Sequence, residues 1–189
     1  AGASGVRAAV APKTTAIASA IRKLRSHGSM KRSTHIIGYN SRLDDSHAAG
    51  WRGKLKHAVE WRERRREIAG LYDQGLAGAA MTLPFTPPGY QHVYHLYVVD
   101  SDDRDGLQAY LQSKGITALT HYPIAIHQQE GFPWGRPART GALPVTEESA
   151  ASVLSLPMYP ELTNQEVERV IAEVMNWAAN REALTRQAV

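Results

Sequence analysis

Asn40 and Arg42 stand in a short polar turn, Gly38-Tyr39-Asn40-Ser41-Arg42-Leu43, that runs straight into Asp44, Asp45 and Ser46. An amide donor and a fixed planar cation two residues apart can grip an anion. The carboxylates and hydroxyl that follow suit a helix N-terminus, where free N–H groups and the macrodipole favour them. The same residues also describe an ordinary helix cap with a surface arginine, and so short a turn is weakly specific. A second cluster, His121-Tyr122-Pro123 followed by His127, places two imidazoles and a phenol where an expected strand ends and a loop begins. Site residues often occupy such positions. As a bare pattern, it is first that of packed or solvated histidines.

Several chemistries are excluded by residue type. The 189-residue chain has no Cys, which removes disulfides, Cys–zinc sites and thiol catalysis, and fits a reducing compartment. There is no His-Glu-x-x-His, and His92 and His95 on a strand would point to opposite faces, which argues against a metal site. No Gly-rich loop follows a strand in the phosphate-binding pattern, and no Gly-x-Ser-x-Gly elbow is present. No catalytic residue is assigned.

Charge is unevenly placed. The net charge is +4, yet between Ala20 and Arg66 thirteen Lys/Arg face four Asp/Glu. That asymmetry suits an acidic partner, or simply a solvated helical face. Residues 74–99 carry no Asp, Glu, Lys or Arg, but Pro84, Pro87, Pro88 and Gly89 make them a poor membrane span. The N-terminus has no long apolar run, so no signal peptide is expected and the chain is placed in the cytoplasm.

The elements that must position these residues follow from periodicity. Thr14 or Thr15 caps a helix reaching about Ser26, with Ile17, Ile21 and Leu24 as its stripe and Gly28 as its stop. A single long helix is expected from about Asp45 to Leu76, with Leu55, Val59, Ile68 and Leu71 on one side and the arginine-rich run 61–67 as a solvated face. Beyond the Pro84–Gly89 linker the pattern becomes strand–helix–strand. His92–Val99 alternates, with Tyr94, Leu96 and Val98 as its apolar face. Leu107, Tyr110 and Leu111 ride a helix ended by Gly115, and residues 116–121 form the next strand. Residues 122–145 hold four Pro and three Gly and read as a long loop. A short helix from Thr146, a strand at Leu154–Leu156, and a helix opened by the capping box Thr163-Asn164-Gln165-Glu166 complete the chain. The last helix carries Val167, Val170, Ile171, Val174 and Ala178 on one stripe.

The fold class is therefore α/β, in three parts. Residues 1–83 read as a remnant of a larger domain with a long linking helix. Residues 84–180 form a small α/β domain of about three strands with helices on one face, and 181–189 a frayed tail.

Four stretches together resemble the DegT/DnrJ-type sugar-nucleotide aminotransferases, of the fold type I pyridoxal-phosphate class. They are Ile21–Gly28; Gly38–Asp44 with Ala48-Ala49; His121-Tyr122-Pro123 with His127; and Leu154–Thr163. They occur in the family's order and near its spacing, over about residues 15–178. The resemblance implies a homodimer with active sites at the subunit interface. It makes Asn40 a ligand that reaches across to the cofactor phosphate of the partner subunit, and Arg42 an anion ligand beside it, for phosphate or substrate carboxylate. His121 and Tyr122 become neighbours of the sugar nucleotide. His47 stands where the family usually has Gln, which unsettles that interface contact.

Transamination needs a Schiff-base Lys and an acid for the pyridinium nitrogen, and in the family both lie upstream of the helix ending at Gly28. None of the six lysines, Lys13, Lys23, Lys31, Lys54, Lys56 and Lys114, sits in the family's context. Ser4-Gly5-Val6-Arg7-Ala8 stands where glycines are expected. The expectation is a C-terminal half, from a truncation or a split gene. Such a half binds cofactor poorly and is inactive unless a separate N-terminal half completes it. The alternative is a non-catalytic scaffold that lays the basic 20–66 region on a polyanion. Its arginine-rich run 61–67 lacks the interleaved aromatics of a single-strand binding surface, which weighs against nucleic acid.

Overall fold

The computed structural model describes residues 12–26, 37–39, 45–129 and 143–187. The chain forms two compact units, Ala1–Lys56 and His57–Val189. The expected boundary near Pro84 thus falls inside the second unit.

In the first unit, α1 spans Thr15–Leu24, and the Thr14 side chain accepts the N–H of Ile17 at its N-terminus. It ends at Leu24 with Arg25 as its cap, one turn short of the expected Gly28 stop, which lies outside the described residues. None of its residues is buried, so its apolar stripe is only partly covered. Helix α2 covers Asp45–Leu55.

One helix over 45–76 is expected, but two are found, because α3 begins anew at Ala58. Gly50 and Gly53 lower the helix propensity of the segment before the break. Lys56 N–H turns back to the carbonyl of Gly53 at 3.3 Å. His57 then serves as the N-cap of α3, Ala58–Gly75. The stripe is covered only along the later part of α3: Ile68 is buried and Leu71 packs on the core, whereas Leu55 on α2 and Val59 in the first turn of α3 are exposed.

The second unit is built around a two-stranded antiparallel sheet, β1 (Tyr97–Asp100) on β2 (Val153–Leu156), in the register Tyr97↔Leu156 to Asp100↔Val153. Single bridges extend it on both sides, Thr82↔Asp100 and Leu119↔Ser155. The strand expected at 116–121 is therefore present only as the Leu119 bridge. The strand expected from His92 starts at Tyr97, and its buried residues are Tyr97 and Val99, not Tyr94, Leu96 and Val98. The cause is local. Tyr94 has φ 47°, its N–H donates to His92 Nδ1 at 3.0 Å, and this turn takes the first half of the alternating run out of the sheet.

Helix α4 (Arg104–Ser113) is capped by Asp103, whose carboxylate accepts the N–H of Gly106 at 3.0 Å. Gly115, at φ 72°, reverses the chain, and the N–H groups of Gly115 and Ile116 return to the carbonyls of Gln112 and Leu111. That is the paired closure a glycine after a helix permits. After a 3-10 turn (Ile126–Gln128) and α5 (Pro144–Ser152), the chain enters β2 and then α6, Asn164–Gln187.

The expected stripe of α6 is confirmed, since Val167, Val170, Val174 and Ala178 are buried and Ile171 packs beside them. α6 packs on α3 and α4. Gly75 permits the first of these contacts, because a Cβ there would meet Ile171 at 2.7 Å. The helix also continues where fraying is expected. The Arg181 guanidinium lies 5.1 Å from the Trp177 ring centre and 3.7 Å from Asp103, which ties the first turn of the extension to α4's cap.

Candidate functional site

The motifs that resemble one another's family context meet in pairs. In the first unit, the N–H of Tyr39 donates to the carbonyl of Leu24 at 2.7 Å, which satisfies one of the free carbonyls at the end of α1. The Gly38-Tyr39 turn is therefore anchored on the helix that carries the Ile21–Leu24 motif. Asn40 and Arg42 follow directly but lie outside the described residues, as does the side chain of His47.

In the second unit, His121 and the Leu154–Thr163 stretch are in contact. His121 Nδ1 and Ser155 Oγ share a hydrogen bond of 2.9 Å, and Leu119 and Ser155 exchange both backbone hydrogen bonds. Ser155 is a buried polar residue on β2, so the sheet itself fixes the imidazole. Tyr122 is its opposite. Its side chain is 85% exposed, and its backbone is held at φ 58°, a region costly for a residue with a Cβ. His127 is buried, with Nε2 2.9 Å from Glu147 Oε1. The two residues expected near a substrate thus part company. His121 faces inward onto β2, while Tyr122 faces solvent.

The turn after β2 is held from α3. Tyr72 donates its hydroxyl to Pro157 O at 2.9 Å, Arg65 Nη1 donates to Met158 O at 2.8 Å, and Arg64 Nη2 donates to Leu162 O at 2.7 Å. Arg65 Nη1 also reaches the carbonyls of Tyr94 and His95, and Arg66 reaches His92 O and Gln91 Oε1. Burial pushes the Tyr72 hydroxyl well above the usual phenol range; Tyr97, buried and donating to Asp73 Oδ1 at 2.6 Å, moves the same way. Both stay protonated donors.

The arginine run keeps internal ion pairs, Arg62 and Arg66 with Glu63 and Arg64 with Glu67, but it is more than a solvated face. Arg64, Arg65 and Arg66 close the loops on either side of the sheet, and Arg62 pairs with Glu63. Sequence reading missed these residues, along with Ser155 and Glu147, because each acts on a partner far along the chain. Three successive arginines on a helix otherwise lacking clear amphipathicity were the one available signal. These engagements leave the run poorly suited to a polyanion.

Among the described residues no group of His, Asp and Glu could hold a metal ion. No helix is long and apolar enough to cross a membrane among the described residues. A lysine-linked cofactor needs its lysine in an enclosed site with an acid nearby. Lys13, Lys54, Lys56 and Lys114 are exposed, and Lys23 lies half-buried on α1. The described residues do not by themselves build such a site.

The mixed α/β chain that carries this site has the fold of the corresponding part of solved aminotransferases. The chain belongs to the DegT/DnrJ/EryC1/StrS aminotransferase family, whose sequence model matches residues 5–175. It is 40% identical over 151 residues to a UDP-N-acetyl-3-dehydro-α-D-glucosamine 3-aminotransferase of Acidithiobacillus ferrooxidans, covering 79% of this chain and 40% of that protein. It is also 40% identical over 164 residues to a dTDP-3-amino-3,4,6-trideoxy-α-D-glucose transaminase of Streptomyces venezuelae, covering 86% of this chain and 43% of that one.

Among solved structures, S. venezuelae DesV in complex with a ketimine intermediate matches with a TM-score of 0.83 at 40% identity, over 87% of this chain and 45% of that one. NtdA from Bacillus subtilis with bound cofactor PMP matches with a TM-score of 0.73 at 27% identity, over 83% and 38%. The chain spans 40% and 43% of the lengths of these two curated relatives.

Proposed function

We propose that these 189 residues serve as the C-terminal portion of a pyridoxal-phosphate-dependent aminotransferase that transfers an amino group, from a donor such as glutamate, to a keto-sugar nucleotide. The observation that carries this reading is the join between separated motifs. His121 is bonded to Ser155 inside a chain that matches the family over residues 5–175. The relatives' names, which describe sugar-nucleotide aminotransferases, support the substrate class.

On this reading the Schiff-base Lys and the acid for the ring nitrogen belong to an N-terminal portion of the fold, supplied in the complete enzyme or by a separate polypeptide. When bound, the cofactor supplies the electron sink for moving the amino group. Asn40 and Arg42 would hold the cofactor phosphate across a subunit interface in a dimer, Asn40 as an amide donor and Arg42 as a planar cation for phosphate or substrate carboxylate. Tyr122 presents its ring and hydroxyl to the sugar nucleotide, with His121 behind it. The assembly works in the cytoplasm. By itself the 189-residue chain binds cofactor weakly and is inactive.

Co-expression with the N-terminal portion of a family relative tests this. Glutamate-dependent amination of a keto-sugar nucleotide is expected from the pair and from neither chain alone. In the pair, Asn40→Ala is expected to weaken cofactor retention about tenfold, the effect of losing one hydrogen bond to a charged group. Turnover by the chain alone, or full cofactor retention by the Asn40→Ala pair, would count against the assignment.

A further inference from the structure

The 3-10 turn Ile126–Gln128 reverses the usual sorting of residues. Ile126 is 75% exposed and Ile124, two residues earlier, is also exposed, while His127, next to Ile126, is only 5% exposed. Hydrophobicity would turn the isoleucines inward and the imidazole out. The imidazole is held inside by a specific partner, because Nε2–H donates to Glu147 Oε1 at 2.9 Å and the Glu147 side chain is itself largely buried. A buried imidazole without that partner would be costly.

The same carboxylate oxygen accepts the N–H of Leu143 at 3.3 Å, the N-cap of α5. One Glu147 oxygen therefore joins the turn after His121 to the start of α5, and α5 leads directly into β2. Ser155 on β2 holds His121 at the other end of the same loop. The loop closes on itself between these pins, with Gln129 Nε2–H donating to Ile124 O at 3.0 Å and Gln128 N–H to Ala125 O at 2.9 Å. Two imidazoles are thus fastened to the single α5–β2 segment. Tyr122, in its left-handed backbone conformation, stands between them and faces outward.

A residue at positive φ persists only where its surroundings over-determine it. We propose that His127 and Glu147 are positioning residues: with His121 and Ser155 they hold the 121–129 loop so that Tyr122 is presented to the sugar-nucleotide substrate. Neither His127 nor Glu147 touches substrate in this arrangement. The substrate half of the proposal rests on the aminotransferase reading above. The holding of the loop does not.

The experiment has two arms that separate these parts. In the first, amide hydrogen exchange is followed in the 189-residue chain alone. His127→Ala and Glu147→Ala are each expected to speed exchange at Gln128, Gln129 and Leu143 on the order of tenfold, while amides of α3 and α6 keep their rates. Glu147→Gln retains an acceptor oxygen for both donors and is expected to stay near wild type. The double alanine variant should be no looser than Glu147→Ala alone, since the carboxylate carries both the His127 bond and the Leu143 bond. If His127→Ala does not fold, the contrast between Glu147→Ala and Glu147→Gln decides. Unchanged exchange at these amides in the alanine variants would overturn the proposal.

In the second arm, the chain completed with an N-terminal portion is assayed. The alanine variants are expected to raise KM for the keto-sugar nucleotide on the order of fivefold with kcat nearly unchanged, and Glu147→Gln to restore it. A loosened loop with unchanged KM, or a loss of kcat alone, would overturn the positioning role. A wild-type pair without turnover would overturn the aminotransferase reading, and the exchange data would still decide whether the pins hold the loop.

Discussion

A single nitrogen, Arg65 Nη1, donates to the carbonyls of Tyr94, His95 and Met158. It joins the turn before β1 to the turn after β2, so its removal leaves three acceptors to find new donors. Arg65→Ala is expected to cost about 2–3 kcal/mol in urea unfolding, and Arg65→Lys to recover only part, since an ammonium is more strongly hydrated and loses more on leaving water. Tyr122 carries the opposite kind of energy. Replacing it with Gly removes the penalty of φ 58° and is expected to leave stability unchanged or raise it by up to about 1 kcal/mol. The same variant should weaken sugar-nucleotide binding in the completed enzyme. A clear loss of stability in Tyr122→Gly would show that the ring packs in the folded unit.

At this scale residue types were legible and their duties less so. His121 and Tyr122 were found as a pair because a motif marks them. Their separation into an inward anchor and an outward face depends on Ser155, more than thirty residues away in the chain. Arg64–Arg66 read as a solvated face because their carbonyl acceptors belong to loops that sequence periodicity does not describe.

Among the elements, α6 followed its sequence most closely, because its signals are local. Thr163 Oγ1 accepts the N–H of Glu166 at 3.3 Å, and Glu166 accepts the N–H of Thr163 at 2.8 Å, a reciprocal capping box. The Thr163 backbone N–H, followed by its hydroxyl, holds the Glu166 carboxyl below its ordinary value of 4.5. A depressed carboxyl pKa stabilises the fold above the unfolded value. That contribution is lost as pH falls through the lower folded value. Thermal melts should therefore show Thr163→Ala lowering Tm by roughly 3 °C near neutrality, with the gap narrowing as pH drops below the ordinary Glu value. An equal gap at all pH values would exclude the carboxylate's part in the cap.

The strand β1 and the break between α2 and α3 were less legible. An alternating run of eight residues reads as strand throughout, yet a His92 side chain and an Arg66 guanidinium fold its first half into a turn. The break at Lys56–His57 was masked by the charged residues around it, whose good helix propensity outweighs two glycines in a window average. In both places tertiary or short-range hydrogen bonds overrode a correct local preference.

At the scale of the whole molecule, the sheet and its three packed helices make the second unit a complete small core. The first unit is different, for α1 buries none of its residues and leaves Ile17 and Leu24 exposed. A partly exposed apolar stripe of this kind is a surface suited to packing. The family was legible from four short motifs in order. The completeness of the site was not, because short motifs give residue types and not the groups those residues meet.

The central claim is that these 189 residues carry the phosphate-side and substrate-side residues of an aminotransferase but no lysine that takes the cofactor. The most direct measurement is borohydride reduction of the purified chain with pyridoxal phosphate, followed by intact mass and peptide mapping. The expected result is scattered, sub-stoichiometric labelling spread over exposed lysines. One cofactor per chain trapped on a single lysine, with matching visible absorbance before reduction, would contradict the account.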